Sequence, residues 1–325
     1  LGATVFLLGL FKKVVIADTL ALKATPVFSL AADGTVPAFY DAWTGALTYT
    51  LQIYFDFSGY SDMAIGLALL FGISLPANFN SPFKARNVID YWSRWHITLT
   101  RFLTAYLYNP IVLRVTRARM AAGKPQPRRG KMTLGTFLAL VAYPTVFTMF
   151  ISGIWHGAGW QFVVFGLLHG FYLVVAHGWR AWKVRQGWKL DSEVWWHQAL
   201  AVLVTFQCVV VAMVFFRAAD VPAALAVLQG MLGLSPDSVH MDRSDFAYIA
   251  ALLAFVWGMP NVQQWMGHFR TALNYQAQLH WTERLLPVSA WRPSAIHGMA
   301  VGVLGFFALA IAFSMAPTEF LYFQF

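Results

Sequence analysis

Two histidines lie inside an otherwise apolar stretch at residues 151–170, and their imidazoles are the side chains there that could do chemistry. His156 stands between two apolar segments, residues 134–154 and 160–176, each long enough to cross most of a bilayer. An ionisable side chain at such a depth is costly and is by default a functional candidate. A buried imidazole without a metal commonly serves as a general acid or base near neutral pH.

The backbone around His156 is expected to be irregular. Three glycines loosen any helix there, at positions 153, 157 and 159. Because irregular backbone at membrane depth persists only within protein or beside a watery cavity, we expect His156 to face a cavity. The alternative is an ordinary turn at the membrane surface, in which Trp155 and Trp160 anchor the interface and His156 is merely solvated.

The sequence carries few signs of other chemistry. It has no His-Glu-x-x-His motif and no Gly-x-Ser-x-Gly motif, and its single cysteine, Cys208, can form no intrachain disulfide. We therefore predict that the protein binds no cofactor and no metal ion. A haem held between helices by His156 or His169 stays open as an alternative.

The composition is typical of polytopic membrane proteins. Hydrophobic residues make up 58% of the chain and charged residues only 11%, although the net charge is +9. The basic residues cluster in loops between apolar spans, so we exclude nucleic acid as a partner and predict contact with membrane lipid. The predicted fold class is all-α, a polytopic helical membrane protein. About six spanning segments are predicted, at residues 43–73, 134–154, 160–176, 199–216, 246–259 and 297–313.

The charges of the loops predict the topology. Residues 18–41 are net acidic and predict a loop outside the cytoplasm, whereas residues 114–131, with seven basic and no acidic side chains, predict a cytoplasmic loop. Residues 1–17 are apolar except for Lys12 and Lys13. They form either the end of a spanning helix or a short helix whose lysines reach the head groups. Because the chain starts inside this segment without a methionine, we expect further helices upstream.

Polar side chains within residues 43–73 need partners inside the protein. Ser58 and Asp62 share one helix face at i, i+4, whereas Asp56 lies on another face.

Residues 87–110 are predicted to form one amphipathic or re-entrant helix. In such a helix Asp90 pairs with Arg94, and Trp92 lies over His96 at the same spacing. An apolar stripe lies on a neighbouring face, formed by Trp95, Leu99 and Phe102. The alternative is a helix that lies flat at the cytoplasmic membrane surface.

Several ordered sequence blocks carry a family resemblance. The longer blocks are Gln-Ile-Tyr-Phe-Asp-Phe-Ser-Gly-Tyr-Ser-Asp-Met-Ala-Ile-Gly at 52–66, Asn-Phe-Asn-Ser-Pro-Phe at 78–83, Tyr-Trp-Ser-Arg-Trp-His-Ile-Thr-Leu at 91–99, Ser-Gly-Ile-Trp-His-Gly-Ala at 152–158 and Gly-Leu-Leu-His-Gly at 166–170. Shorter blocks are Phe-Lys-Lys at 11–13, Phe-Phe-Arg at 215–217 and Tyr-Phe-Gln-Phe at 322–325. Together they resemble the signature blocks of membrane-bound O-acyltransferases, in particular the bacterial alginate O-acetylase branch.

The resemblance implies a single membrane-bound O-acyltransferase domain over residues 1–325, with re-entrant helices around a central tunnel. It implies that His156 is the family's essential membrane histidine and that His96 is its second conserved polar position. We expect His156 to act as the general base and His96 to orient the acceptor or polarise the acyl carbonyl. Supporting roles are expected for Asp62, Arg94, Trp155 and His169.

The implied activity is transfer of an acetyl group to hydroxyls of an exported polysaccharide such as alginate. The donor would be a cytoplasmic thioester, either acetyl-CoA or an acylated carrier. The implied partners are the polysaccharide and proteins of an acetylation and export system at the bacterial inner membrane. A polymer or acyl-carrier transporter or channel without chemistry stays open, because polar residues within spans suit both.

Overall fold

The computed structural model describes residues 1–124, 132–190, 194–235, 243–276 and 290–314. Within these ranges the regular elements are helices, apart from an isolated parallel bridge between Pro76 and Leu273. The α-helices are α1 (Gly2–Phe11), α2 (Asp18–Ala32), α3 (Phe39–Leu70), α4 (Val88–Arg94), α5 (Ile97–Leu103), α6 (Asn109–Ala121), α7 (Leu134–Phe137), α8 (Tyr143–His156), α9 (Trp160–Arg185), α10 (Trp195–Arg217), α11 (Val221–Met231), α12 (Arg243–Gly258), α13 (Val262–Trp265) and α14 (Ala295–Ser314). The π-helical segments are Lys12–Ala17, Thr104–Tyr108 and Leu138–Ala142, and the 3-10 helices are Pro82–Lys84 and Gly267–Phe269. The all-α prediction is confirmed.

The chain divides into two compact units. Unit 1 comprises Leu1–Lys84 with Arg217–Phe325, and unit 2 comprises Ala85–Phe216. Helices α1–α3 and α11–α14 belong to unit 1, and α4–α10 belong to unit 2. The single domain over residues 1–325 and its central tunnel stay predictions.

In unit 1, α1 packs closely against α3 at paired glycines. A Cβ at Gly9 would lie 2.6 Å from the carbonyl oxygen of Gly59, and a Cβ at Gly66 would lie 2.5 Å from the backbone nitrogen of Phe6. Residues without a side chain let two backbones meet, which is a main source of helix packing in membrane proteins. The glycines therefore determine which face of α3 packs against α1.

Two lysines that follow α1 lie in ion pairs with α3. Lys12 Nζ lies 2.6 Å from Asp62 Oδ2 and 3.4 Å from Ser58 Oγ, and Lys13 Nζ lies 2.7 Å from Asp56 Oδ1. The alternative in which these lysines reach the head groups is therefore wrong, because carboxylates of α3 lie within reach inside the protein. The predicted register is confirmed, since Ser58 and Asp62 share one partner and Asp56 contacts the other lysine.

The loop predicted at residues 18–41 is wrong over most of its length. α2 occupies Asp18–Ala32 and continues the helical run of α1 through the π-helical segment. Leu20, Ala24 and Phe28 are buried and recur every four residues, so they form one apolar face. Burial of this face outweighs the acidic and proline-containing composition that indicated a loop.

The hairpin predicted around His156 is confirmed, formed by α8 and α9 in unit 2. A Cβ at Gly153 would lie 2.4 Å from the carbonyl oxygen of Phe162, and a Cβ at Gly166 would lie 2.4 Å from that of Met149. The backbone leaves the helix only at residues 157–159. Gly153 stays helical because its role is close packing, so the irregular stretch is shorter than predicted.

Four described helical stretches are long and apolar enough to cross a membrane: Leu134–His156, Trp160–Arg185, Trp195–Arg217 and Ala295–Ser314. Two of the six predicted segments do not meet this criterion. α3 exists but buries carboxylates and hydroxyls along its length, and α12 has only 16 residues.

Several sequence predictions fall outside the described residues. They are the basic positions 128, 129 and 131, the acidic positions 237 and 242 of a net acidic loop predicted at residues 217–245 outside the cytoplasm, and the closing block at 322–325. The sidedness of the loops stays a prediction.

Candidate functional site

His96 lies at a break between two helices of unit 2. α4 ends at Arg94, Trp95 is extended, and His96 adopts a left-handed backbone conformation with φ 43° and ψ 53° before α5 begins. This conformation is uncommon for a residue with a side chain and is often found at functional sites. The His96 carbonyl accepts a hydrogen bond from the backbone nitrogen of Thr100, which starts the next helix. The break leaves the His96 side chain buried.

The single helix predicted over residues 87–110 is therefore wrong at its centre. The register that would place Trp92 over His96 ends before Trp95. The apolar stripe that should start at Trp95 is interrupted by the same break, and its last member, Phe102, is exposed. Burial of both Trp95 and His96 outweighs the helical spacing of the sequence.

Polar side chains hold α4 at its two ends. Asn87 Oδ1 accepts a hydrogen bond from the backbone nitrogen of Asp90 at the amino end. The predicted ion pair is confirmed, with Arg94 Nε 2.7 Å from Asp90 Oδ1. Arg94 thus stabilises the last turn before the break that positions His96.

His156 is the last residue of α8 and is half-buried among aromatic rings. Its ring centroid lies 5.0 Å from that of Phe216 and 5.9 Å from that of Phe165, both edge-on. The exposed ring of Trp155 lies 4.9 Å away. These rings exclude water from much of the imidazole.

Unit 2 brings the two predicted catalytic histidines together. His156, at the end of α8, lies within electrostatic reach of His96, which lies in the break between α4 and α5. Burial lowers the pKa of His96 well below its usual value, and His156 lowers it further. A neutral His96 can donate one hydrogen bond and accept another near pH 7.

His169 lies in α9, fully buried in a cage of aromatic side chains. Its Nδ1 accepts a hydrogen bond from Trp92 Nε1 at 3.3 Å. Tyr91 stacks nearly parallel to the imidazole at 6.1 Å, and Phe165 meets it edge-on at 4.7 Å. Sequence reasoning singled out His169 but missed its contact with Trp92, because no local spacing signals a pair on different helices.

Of the other predicted site residues, Asp62 lies in unit 1. It accepts a hydrogen bond from Gln263 Nε2 at 2.8 Å in addition to its pair with Lys12. These are the contacts of a buried ion pair. The supporting roles expected for Asp62 and Trp155 stay predictions.

A cavity of about 300 Å³ lies in unit 2, with Trp92, Thr148 and His177 in its walls. His96 and His156 do not line it, so the cavity expected beside His156 is not this one. In the described part of the chain, no three His, Cys, Asp or Glu side chains converge as ligands of a metal ion.

Comparisons with known proteins identify the family. A family model described as the membrane-bound O-acyltransferase family matches residues 4–123. The peptidoglycan O-acetyltransferase of Helicobacter pylori is 43% identical over 245 residues, which cover 75% of this chain and 41% of that protein. A probable alginate O-acetylase of Pseudomonas aeruginosa is 38% identical over 230 residues, 71% of this chain and 38% of that protein. The chain belongs to the membrane-bound O-acyltransferase family.

This membership confirms the resemblance found in the sequence blocks, and with the apolar helices it identifies a membrane protein. The teichoic acid D-alanyltransferase of Bacillus subtilis is a more distant relative, 29% identical over 161 residues, 50% of this chain and 37% of that protein. The chain spans about two fifths of the length of these curated relatives. The family-model match includes His96, whereas His156 and His169 lie beyond it.

Proposed function

We propose that this protein is an O-acetyltransferase of the bacterial inner membrane that moves an acetyl group from a cytoplasmic thioester to hydroxyls of an exported polymer. The observation that carries the proposal is that His96, in the break after α4, and His156, at the end of α8, lie within electrostatic reach of each other in unit 2. Acetyl is favoured over alanyl because the two acetyltransferase relatives share more identity with this chain. The names of those relatives support a polysaccharide or cell-wall acceptor.

In the proposed reaction His156 is the general base. It takes the proton of the acceptor hydroxyl as that oxygen attacks the thioester carbonyl carbon, so that a C–O bond forms and the carbonyl oxygen gains negative charge. The tetrahedral intermediate then breaks its C–S bond. The proton held by His156 passes to the leaving thiolate, which restores the neutral imidazole. His96 donates a hydrogen bond that polarises the carbonyl or orients the acceptor.

The surroundings of His156 suit a transfer that must compete with hydrolysis. Phe165 and Phe216 pack their rings against the imidazole. A site that keeps bulk water from the thioester favours attack by a bound hydroxyl and strengthens the electrostatic interactions within it.

The variant His156→Gln tests the assignment of the base. Glutamine keeps hydrogen-bonding atoms but cannot accept a proton near pH 7, so we expect transfer to fall by about 100-fold or more. The purified protein in detergent receives radiolabelled acetyl-CoA with alginate or peptidoglycan fragments, and both polymer label and free thiol are measured. His197→Gln is the matched control, because His197 is an exposed histidine of the same unit. Unchanged transfer by His156→Gln would contradict the assignment.

The same measurement separates chemistry from transport. A transporter or channel for polymer or acyl carrier would release no thiol. If the unaltered protein released no thiol with any acetyl thioester and acceptor, the proposed reaction would be wrong.

A further inference from the structure

The hydrogen bond between Trp92 and His169 determines which nitrogen of His169 carries a proton. An indole nitrogen can only donate a hydrogen bond. Because Trp92 Nε1 lies 3.3 Å from His169 Nδ1, that nitrogen must be the acceptor. The proton of the neutral imidazole therefore lies on Nε2, at the edge of the ring turned away from Trp92.

The Nε2–H group of His169 is a buried donor whose acceptor is not among the described residues. The side chain is 0% exposed, and its Nε2 has no hydrogen-bond partner. A buried donor left unsatisfied costs about 1–3 kcal/mol, and such groups in folded proteins call for an explanation. Ser152, also buried and on α8, has an unpartnered hydroxyl as well.

The unpartnered donor belongs to the surroundings of His156. Phe165 contacts both imidazoles, with its ring centroid 5.9 Å from that of His156 and 4.7 Å from that of His169. His156 also lies within electrostatic reach of His169. Gly153 and Gly166 bring the two helices that carry these histidines into backbone contact. The donor is therefore next to the chemistry rather than in a remote part of the core.

We propose that His169 presents its Nε2–H group to an oxygen atom at the transfer site, and that Trp92 sets this tautomer. The inference rests on the proposed function. The Nε2–H group of a neutral ring needs an acceptor with a lone pair, which an oxygen atom of the reactants or of water can supply. Two sources supply such an oxygen: the acyl carbonyl of the bound donor substrate, or an ordered water beside His156. Trp92 is a positioning residue in this scheme, since it acts only through His169.

Two substitutions at position 169 separate hydrogen bonding from packing. His169→Gln keeps both functions, because an amide oxygen can accept from Trp92 and an amide nitrogen can donate. His169→Phe keeps an aromatic ring in the cage but removes both polar atoms. We expect His169→Phe to lower kcat by about 10-fold or more with KM changed by less than about threefold, and His169→Gln to restore most of the rate. Thermal stability of His169→Phe should stay close to that of the unaltered protein, because the variant removes the unsatisfied Nε2–H donor but leaves the buried indole N–H of Trp92 without its acceptor.

A purely packing role predicts the opposite pattern. His169→Phe would then keep its full rate, and that result would overturn the proposal, as would a folded His169→Gln variant as slow as His169→Phe. Trp92→Phe should lower kcat in the unaltered background but cause little further loss when combined with His169→Phe. Additive losses would show that Trp92 does not act through His169. Because these comparisons are made in protein that still requires His156, their failure would leave the proposed function standing.

Nitrogen NMR of histidine-labelled protein tests the tautomer directly. The His169 signal, assigned by difference against His169→Gln, should show a proton on Nε2, and a proton on Nδ1 would overturn the proposal. A thioether analogue of acetyl-CoA identifies the source of the oxygen. A shift of the Nε2 signal on binding supports the substrate carbonyl, whereas a hydrogen-bonded but unshifted signal supports an ordered water.

Discussion

The buried ion pair between Lys13 and Asp56 should be essential to the stability of unit 1. The Lys13 side chain is 5% exposed and that of Asp56 is 2% exposed, with Nζ 2.7 Å from Asp56 Oδ1 and 2.7 Å from Asp18 Oδ1. Lys13→Met keeps the length of the side chain but leaves the Asp56 carboxylate buried without this cation. Breaking a buried pair in this way costs about 3–5 kcal/mol, or roughly two to four orders of magnitude in the folding equilibrium.

The control is Lys23→Met. Lys23 pairs with Asp245, but its side chain is 30% exposed, so water can replace the lost partner. A pair of this kind contributes at most about 1 kcal/mol. Unfolding is followed in mixed micelles at increasing denaturant, and all variants are compared in one detergent.

The double variant Lys13→Met/Asp56→Asn tests the physical reason. Removing the carboxylate charge should recover part of the loss, so the double variant should be more stable than Lys13→Met alone. The reasoning fails if Lys13→Met is no more destabilising than Lys23→Met, or if Asp56→Asn adds its full cost to that of Lys13→Met.

Two further perturbations follow from the site. Burial lowers the pKa of the His96 imidazole in the folded protein. Below about pH 6.5 this imidazole therefore stays neutral in the folded protein, whereas in the unfolded chain it takes up a proton. The free energy of unfolding should therefore fall between pH 7 and pH 5, and it should fall less in the His96→Gln variant. An identical pH dependence of the two proteins would contradict this reasoning. Gly166→Ala should disrupt the hairpin and abolish transfer, since its Cβ would lie 2.4 Å from the carbonyl oxygen of Met149. Gly178→Ala, whose Cβ meets only Phe137 at 3.6 Å, should fold normally, and equal yields of folded protein would refute the packing argument.

Local periodicity predicted much of the fold because helix formation and apolar length are properties of consecutive residues. The helices on either side of His156 follow from such patterns. The shared face of Ser58 and Asp62 and the pair of Asp90 with Arg94 follow from the 3.6-residue turn alone.

Spacing failed where burial by distant residues determines the local conformation. The helix break at His96 follows from placing both Trp95 and His96 in the interior, which a continuous helix would not do. The helical state of residues 18–32 depends on α3, which covers its apolar face. The four-residue spacing of Leu20, Ala24 and Phe28 is a local sign of that face, but it does not show that α3 covers it.

The sequence by itself determined the membrane class, the family blocks and the choice of His96 and His156 as candidates, because each depends on residue type and short-range order. Only the tertiary structure decided which groups meet: Lys12 and Lys13 with the carboxylates of α3, and Trp92 with His169. The physical reason is that a buried charge or donor must find its partner in space. Helix packing at contacts such as Gly153 with Gly166 determines which groups lie close enough to pair.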